Sequence, residues 1–277
     1  MTAYRITHRT TYSYDDEVTD SLGIAHLVPR VLPWQSVASS DVVVAPTPVD
    51  LSRDVDYYGN CATYFQVTEP HTRLEIEAVS EVDVTTPVVP DAVLAAGWEA
   101  ARPLVSPATA GAWRATDLAL ASASVEQVEE AATYAAPSFG RQRPIGEAVT
   151  DLMNRIHADF EYDRTATTVT STVGEVLATR AGVCQDFAHL TLACLRSQGL
   201  AARYVSGYLS TSPAPGQERV VGADASHAWV AVWLPDPSGA SDGEWLGIDP
   251  TNDQWTNDRY VTVAWGRDYS DVPPVKV

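Results

Sequence analysis

From Tyr4 the chain alternates apolar and polar side chains, Tyr4-Arg5-Ile6-Thr7-His8 and on through Tyr12. Successive side chains of a strand point to opposite faces, so this pattern predicts a half-buried β-strand. An apolar run follows at Asp41-Val42-Val43-Val44-Ala45, then further alternation in Ala62–Val67 and in Arg73–Val84. Turn chemistry stands between the runs, at Asp15-Asp16, Pro46-Thr47-Pro48, Tyr58-Gly59-Asn60 and Glu69-Pro70. Short strands at this spacing predict an antiparallel sandwich or barrel as far as Thr86.

The pattern then changes. Between Thr85 and Arg143 prolines recur and the intervening stretches are rich in alanine, which reads as a linker and short helices, Ser124–Ala131 among them. A domain boundary is expected near Pro103, giving a β-rich N-terminal domain (1–103) and a second domain (104–277). Pro144 suits the first position of a helix running to about His157, with Ile145, Ala148, Val149, Leu152, Met153 and Ile156 at helical spacing. Ser171 or Thr172 caps a short helix through Leu177, and Glu175, three residues beyond Thr172, fits a capping box. Gly182-Val183-Cys184 turns into an apolar helical run that ends at Gly199. Strands return at Ala202–Leu209, Ala228–Leu234 and Trp245–Asp249. Helices followed by an antiparallel sheet make an α+β layout.

Composition narrows the classes. Lys+Arg of 18 against Asp+Glu of 36 gives a net charge of −18 over 277 residues. So acidic a chain argues against nucleic acid or an anionic membrane as partner. No apolar run reaches the ~18 residues of a membrane span, and the N-terminus has no signal-like apolar segment. Three cysteines, Cys61, Cys184 and Cys194, suit a reducing cytoplasm rather than a disulfide framework. His8, His26 and His71 lie in different segments with no metal-ligand spacing and read as structural or surface histidines.

One cysteine stands apart. Cys194 sits mid-helix between Ala193 and Leu195 and reads as a small core hydrophobe, as does Cys61. Cys184 instead opens its helix behind a glycine turn, with polar Gln185-Asp186 following. Unpaired N–H groups and the positive end of the helix dipole gather there and stabilise a thiolate. A nucleophilic cysteine needs a base and a group to orient it. His227 opens one predicted strand and Asp249 closes the next, so in an antiparallel hairpin the two become neighbours. Packing the Cys184 helix on that sheet brings its N-terminus to the same edge. Taken singly, His227 is no more than a strand-end histidine and Asp249 no more than a turn residue before Pro250. The combination is harder to dismiss.

Gly182-Val183-Cys184-Gln185-Asp186-Phe187-Ala188, Ser226-His227-Ala228-Trp229 and Asp249-Pro250-Thr251 resemble the three signature boxes of the transglutaminase-like superfamily. Ala202–Tyr208 and Gly266–Val272 are similar to segments of its bacterial members. The opening Tyr4–Tyr14 with Leu27-Val28-Pro29-Arg30 resembles the β-rich region that precedes their core. The resemblance implies an N-terminal antiparallel β-sandwich-like region before a papain-like core of helices packed on an antiparallel sheet. It implies Cys184 as nucleophile, His227 as general base and acid, and Asp249 as the orienting carboxylate. The expected chemistry is acyl transfer on a peptide or isopeptide amide through a thioester, resolved by water or an amine, with no metal or organic cofactor. The Cys184 backbone N–H is a candidate oxyanion donor, and Asp186 is expected to favour the helix start or tie down a loop.

Two other readings differ in class. A scaffold protein that kept the fold and lost activity would have no physical need for the complete Cys184, His227 and Asp249 set. A metal site of Cys184, His189 and His227 conflicts with helix geometry, because residues 184 and 189 do not share a helix face.

Overall fold

The computed structural model describes residues 1–168, 170–211 and 226–277. The chain begins with six strands: β1 (Thr2–Val18), β2 (Ser21–Ala25), β3 (Gln35–Ala45), β4 (Asp50–Val55), β5 (Cys61–Val67) and β6 (His71–Val84). A helical section follows, with α1 (Asp91–Leu94), α2 (Ala112–Ala115), α3 (Glu129–Ala135) and α4 (Ile145–Asp159). Then come β7 (Glu161–Tyr162), α5 (Val173–Thr179), β8 (Ala181–Gly182) and α6 (Cys184–Ser197). The C-terminal strands are β9 (Ala202–Leu209), β10 (Ser226–Leu234), β11 (Glu244–Asp249), β12 (Gln254–Trp255), β13 (Tyr260–Gly266) and β14 (Val275–Lys276).

The result is a mixed helix and sheet fold with antiparallel sheets. The N-terminal strands, joined by β14 from the C-terminal end, form two of them, in orders β1-β6-β3 and β14-β2-β5-β4. Both contribute to one apolar cluster, with Val42, Val44, Leu74 and Ile76 from the first and Ala25, Phe65 and Val67 from the second. The five-stranded sheet, β12-β11-β10-β9-β13, carries α6 on one face. Every second residue of β10, namely Ala228, Val230, Val232 and Leu234, joins the core built around Leu190, Leu192 and Leu195 of α6. The residues between, Trp229, Ala231 and Trp233, belong to separate apolar clusters. Residues 186–196 of α6 are all buried, as befits a helix enclosed by α3, α4 and α5 as well as the sheet.

Four expectations need correction. Asp15-Asp16 is no break: β1 runs through it, and the irregularity appears instead as a register shift between Ser13 and Val18. The helix expected over Ser124–Ala131 starts only at Glu129, because Ser122 and Val125 pair by backbone and the Ser124 N–H donates to Asp268 Oδ2 at 2.7 Å. Pro144 precedes the first helical residue of α4 as an extended cap. β2, β4 and β13 were not anticipated. β4 has no buried residue, so it lacks the alternation that marks a strand. The capping box at α5 is as expected: Thr172 Oγ1 accepts the Glu175 N–H at 3.3 Å, and Glu175 Oε2 accepts the Thr172 N–H at 2.8 Å.

β13 lies at one side of the five-stranded sheet, and its outer edge is paired by the N-terminal region. Gln35 donates from Nε2 to Thr262 O at 2.7 Å and accepts the Thr262 N–H at 2.8 Å. Asn60 makes the same reciprocal pair with the Trp265 backbone, at 2.8 and 2.9 Å. Two side-chain amides thus satisfy an edge that would otherwise present open backbone groups. β13 and the residues that follow β11 complete the site.

Candidate active site

Several local features set the cysteine. Val183 is extended, at φ −115° and ψ −179°, and Cys184 is the first residue of α6, half-buried. Asp186 folds back so that its Oδ2 accepts the Val183 N–H at 2.8 Å and the Thr167 hydroxyl at 2.6 Å. One carboxylate therefore favours the helix start and ties down the loop after β7. β7 and β8 pair Tyr162 with Gly182, which holds the approach to the helix. Gly182 is needed for space: a Cβ there would lie 2.8 Å from Asp186 Oδ2 and 2.9 Å from its Cβ.

His227 is the second residue of β10. Its side chain is 11% exposed, and Nε2 bonds Asp249 Oδ2 at 2.7 Å. The Cys184 side chain lies near enough to raise the basicity of the ring, and with Nε2 held by Asp249 the nitrogen left for sulfur is Nδ1. Trp229, two residues along the strand, stacks on the imidazole at 6.1 Å between centroids and 29° between planes. Gly207, opposite His227, leaves room for that indole, since a Cβ there would meet Trp229 at 2.6 Å. Burial alone would lower the imidazole, but hydrogen bonds to Asp249 and Cys184 and their charges hold it up at about 10.

Asp249 ends β11 with its side chain wholly buried. Continuing the Val230↔Ile248 register sets Asp249 across from Trp229, diagonal to His227. Its Oδ2 also accepts the Tyr260 hydroxyl and Asn252 Nδ2, each at 2.7 Å, and Oδ1 accepts the Thr251 N–H at 3.0 Å. Burial opposes its ionisation, yet the bonds from His227, Tyr260 and Asn252 hold the carboxyl below the ordinary value.

The three residues singled out in the sequence are thus brought together, and two supporting side chains were missed. Asn252 lies in the turn after Asp249. Tyr260 opens β13, whose run of aromatic and β-branched residues, Tyr260-Val261-Thr262-Val263-Ala264-Trp265, carries a strand signal that was available. His189 lies elsewhere: its Nε2 accepts the Tyr269 N–H at 3.2 Å, and burial lowers it to about 4, so it is a neutral acceptor. Cys194 is fully buried, which pushes its thiol up to about 12.

Comparisons with known proteins identify the family. The family model of the bacterial transglutaminase-like N-terminal region matches residues 4–83, and that of the transglutaminase-like superfamily matches residues 132–250. The chain belongs to the transglutaminase-like superfamily. An uncharacterized protein of Mycobacterium tuberculosis (strain H37Rv) is 48% identical over 99% of this chain and 86% of its own length. One of Mycobacterium leprae (strain TN) is 33% identical over 100% of this chain and 92% of its own. A crystal structure from Cytophaga hutchinsonii, provisionally named a cysteine protease, shares the fold, with a TM-score of 0.71 and 19% identity over 99% of this chain and 84% of that one. Among the described residues, no helix is long and apolar enough to cross a membrane.

Proposed function

We propose that this protein is a cysteine-dependent acyl-transfer enzyme acting on peptide-like amides, either a hydrolase or a transamidase. The observation that carries the reading is a largely enclosed imidazole bonded to a buried carboxylate at 2.7 Å, with the Cys184 side chain near enough to raise its basicity. A cationic ring beside sulfur stabilises the thiolate, the nucleophilic form.

In the proposed cycle, the Cys184 thiolate adds to the amide carbonyl carbon and the carbonyl π pair moves to oxygen. The Cys184 backbone N–H, in the first turn of α6, is the donor proposed for that oxyanion. As the tetrahedral species collapses, the C–N bond breaks and His227 gives its proton to the departing amine. A thioester remains. Water or a second amine then attacks it, His227 takes the proton, and the thiolate leaves. Asp249, held by Tyr260 and Asn252, keeps Nε2 occupied so that Nδ1 stays turned toward sulfur throughout. In the same reading the N-terminal strands are a sandwich-like domain (1–103) beside a catalytic core (104–277).

Two measurements test this. The rate of iodoacetamide alkylation against pH compares wild type with Cys184→Ala and His227→Ala. The enzymatic reading fails if Cys184 reacts no faster near neutral pH than a free thiol and His227→Ala changes nothing. A panel of amide and γ-glutamyl peptides, with and without added amines, then separates hydrolysis from transamidation, with Cys184→Ala as the blank.

A further inference from the structure

The face of the five-stranded sheet turned away from α6 holds a buried cation without a counter-charge. Across β9, β10 and β11 the register lines up Arg203, Ala231 and Gly247. Two of these are small, so a trough one residue wide crosses the sheet. Indoles wall it on both sides: Trp229 and Trp265 both pair with Val205 in one row, and Trp233 pairs with Trp245 in the other. Arg203 lies along the trough between two rings, 4.1 Å from the Trp245 centroid and 3.5 Å from that of Trp265. Trp34, Pro87, Thr256 and Asn257 form a half-exposed rim.

Arg203 is 7% exposed, and its Nε is buried without a hydrogen-bond partner. Among the described residues its guanidinium makes no hydrogen bond or ion pair. Arg196, just as buried, shows what a structural arginine does here: it donates to the carbonyls of Leu118, Ala202 and Arg267 and to Ser122 Oγ. Arg203 has cationic company instead, because Arg30 stacks on the opposite face of Trp265 at 3.5 Å and its Nε is also unpartnered. A buried donor without an acceptor destabilises a fold, and two guanidinium groups flanking one ring repel each other. An anion in the trough relieves both.

We propose that Arg203 and its indole walls form a carboxylate-binding subsite beside the catalytic centre. The planar fork of a guanidinium matches a carboxylate. The free space, about 20 Å³, admits a water or two or the end of a carboxylate and excludes a sugar or nucleotide. Two walls are shared with the catalytic group: Trp229 stacks on His227 and Tyr260 holds Asp249. The carboxylate is therefore one carried by the acyl substrate or a small free one. Assigning it to substrate rests on the proposed acyl-transfer function, whereas the anion site itself does not.

The test uses the full chain carrying Cys184→Ala, so that no turnover occurs, and reads tryptophan fluorescence at constant ionic strength. Acetate is expected to give a saturable change that neutral acetamide does not. Arg203→Lys, which keeps charge and loses the fork, is expected to weaken acetate binding at least tenfold, and Arg203→Gln to abolish saturation. Competition then identifies the source. Displacement of acetate by N-acetyl-tetraalanine acid, and not by its amide, assigns the site to a peptide carboxylate; displacement by neither assigns it to a free small carboxylate. The site is overturned if acetate and acetamide act alike in the Cys184→Ala protein, a contrast that holds even where an Arg203 variant fails to fold. It is overturned equally if folded Arg203→Gln still saturates with acetate. Because Cys184 is absent, failure here leaves the alkylation test of the acyl-transfer reading untouched.

Discussion

Asp249→Asn removes one charge and almost no volume from the centre of the site. In the folded protein the His227 imidazole is held up at about 10 against an ordinary 6.5, which corresponds to ~5 kcal/mol in favour of the imidazolium at about 1.36 kcal/mol per pH unit. Burial works against that form, so the whole gain comes from Asp249 and Cys184, with the Asp249 hydrogen bond the largest favourable contribution. Assigning Asp249 half or more makes ~3 kcal/mol, so the ring midpoint in Asp249→Asn is expected to fall by about two pH units. Loss of the imidazolium removes the positive charge that faces sulfur, and iodoacetamide alkylation of Cys184 at pH 7 is expected to slow at least tenfold. The direct assay is NMR titration of the His227 ring in wild type and variant. The group is raised on folding, so the stability it contributes is full below pH 6.5 and is lost as pH rises through about 10. Chemical denaturation should show that decline in wild type and a flatter profile in Asp249→Asn. A ring midpoint in the variant within about half a pH unit of wild type would refute the assignment of Asp249 as the group that sustains the charge.

Other outcomes follow from the same geometry. Tyr260→Phe removes a donor from the buried carboxylate and is expected to destabilise the fold by ~1.5–3 kcal/mol, read from urea midpoints. Gly182→Ala forces a Cβ against Asp186 and is expected to cost ~1–3 kcal/mol by the same measurement and to slow Cys184 alkylation. His189 is held neutral with its folded value lowered to about 4, so its contribution is present above pH 6.5 and declines as pH falls toward 4, by up to ~3 kcal/mol. Urea midpoints across that range should show the slope, and His189→Gln should reduce it. Mass spectrometry of the native protein treated with iodoacetamide should find Cys194 unmodified until denaturant is added, because its thiol is buried and pushed up to about 12.

What was legible in the chain was mostly local. Helical spacing marked α4, and all six of the apolar positions it named are buried. Thr172 and Glu175, three residues apart, announced a capping box, and Gly182-Val183-Cys184 announced a helix start at the cysteine. Each depends on neighbours within a turn or two, where steric and hydrogen-bonding preferences act without the rest of the fold. The pairing of His227 with Asp249 was also within reach, because a hairpin between consecutive strands needs only one register.

Tertiary structure decided the remainder. Asp15-Asp16 has turn-forming residues, yet β6 pairs with β1 on both sides of it and keeps the strand whole. Ser124–Ala131 has helix-forming residues, yet Asp268, far along the chain, captures the Ser124 N–H and delays the helix. Tyr260 reaches Asp249 only because β13 lies beside β9, and β13 keeps that place with Gln35 and Asn60 paired along its outer edge. Arg203 could be read as a strand residue from its pattern, but its burial between two indoles depends on the alignment of four strands. Local composition determines which backbone shapes are favourable; contacts between distant segments determine which buried groups find partners, and so where the chemistry lies.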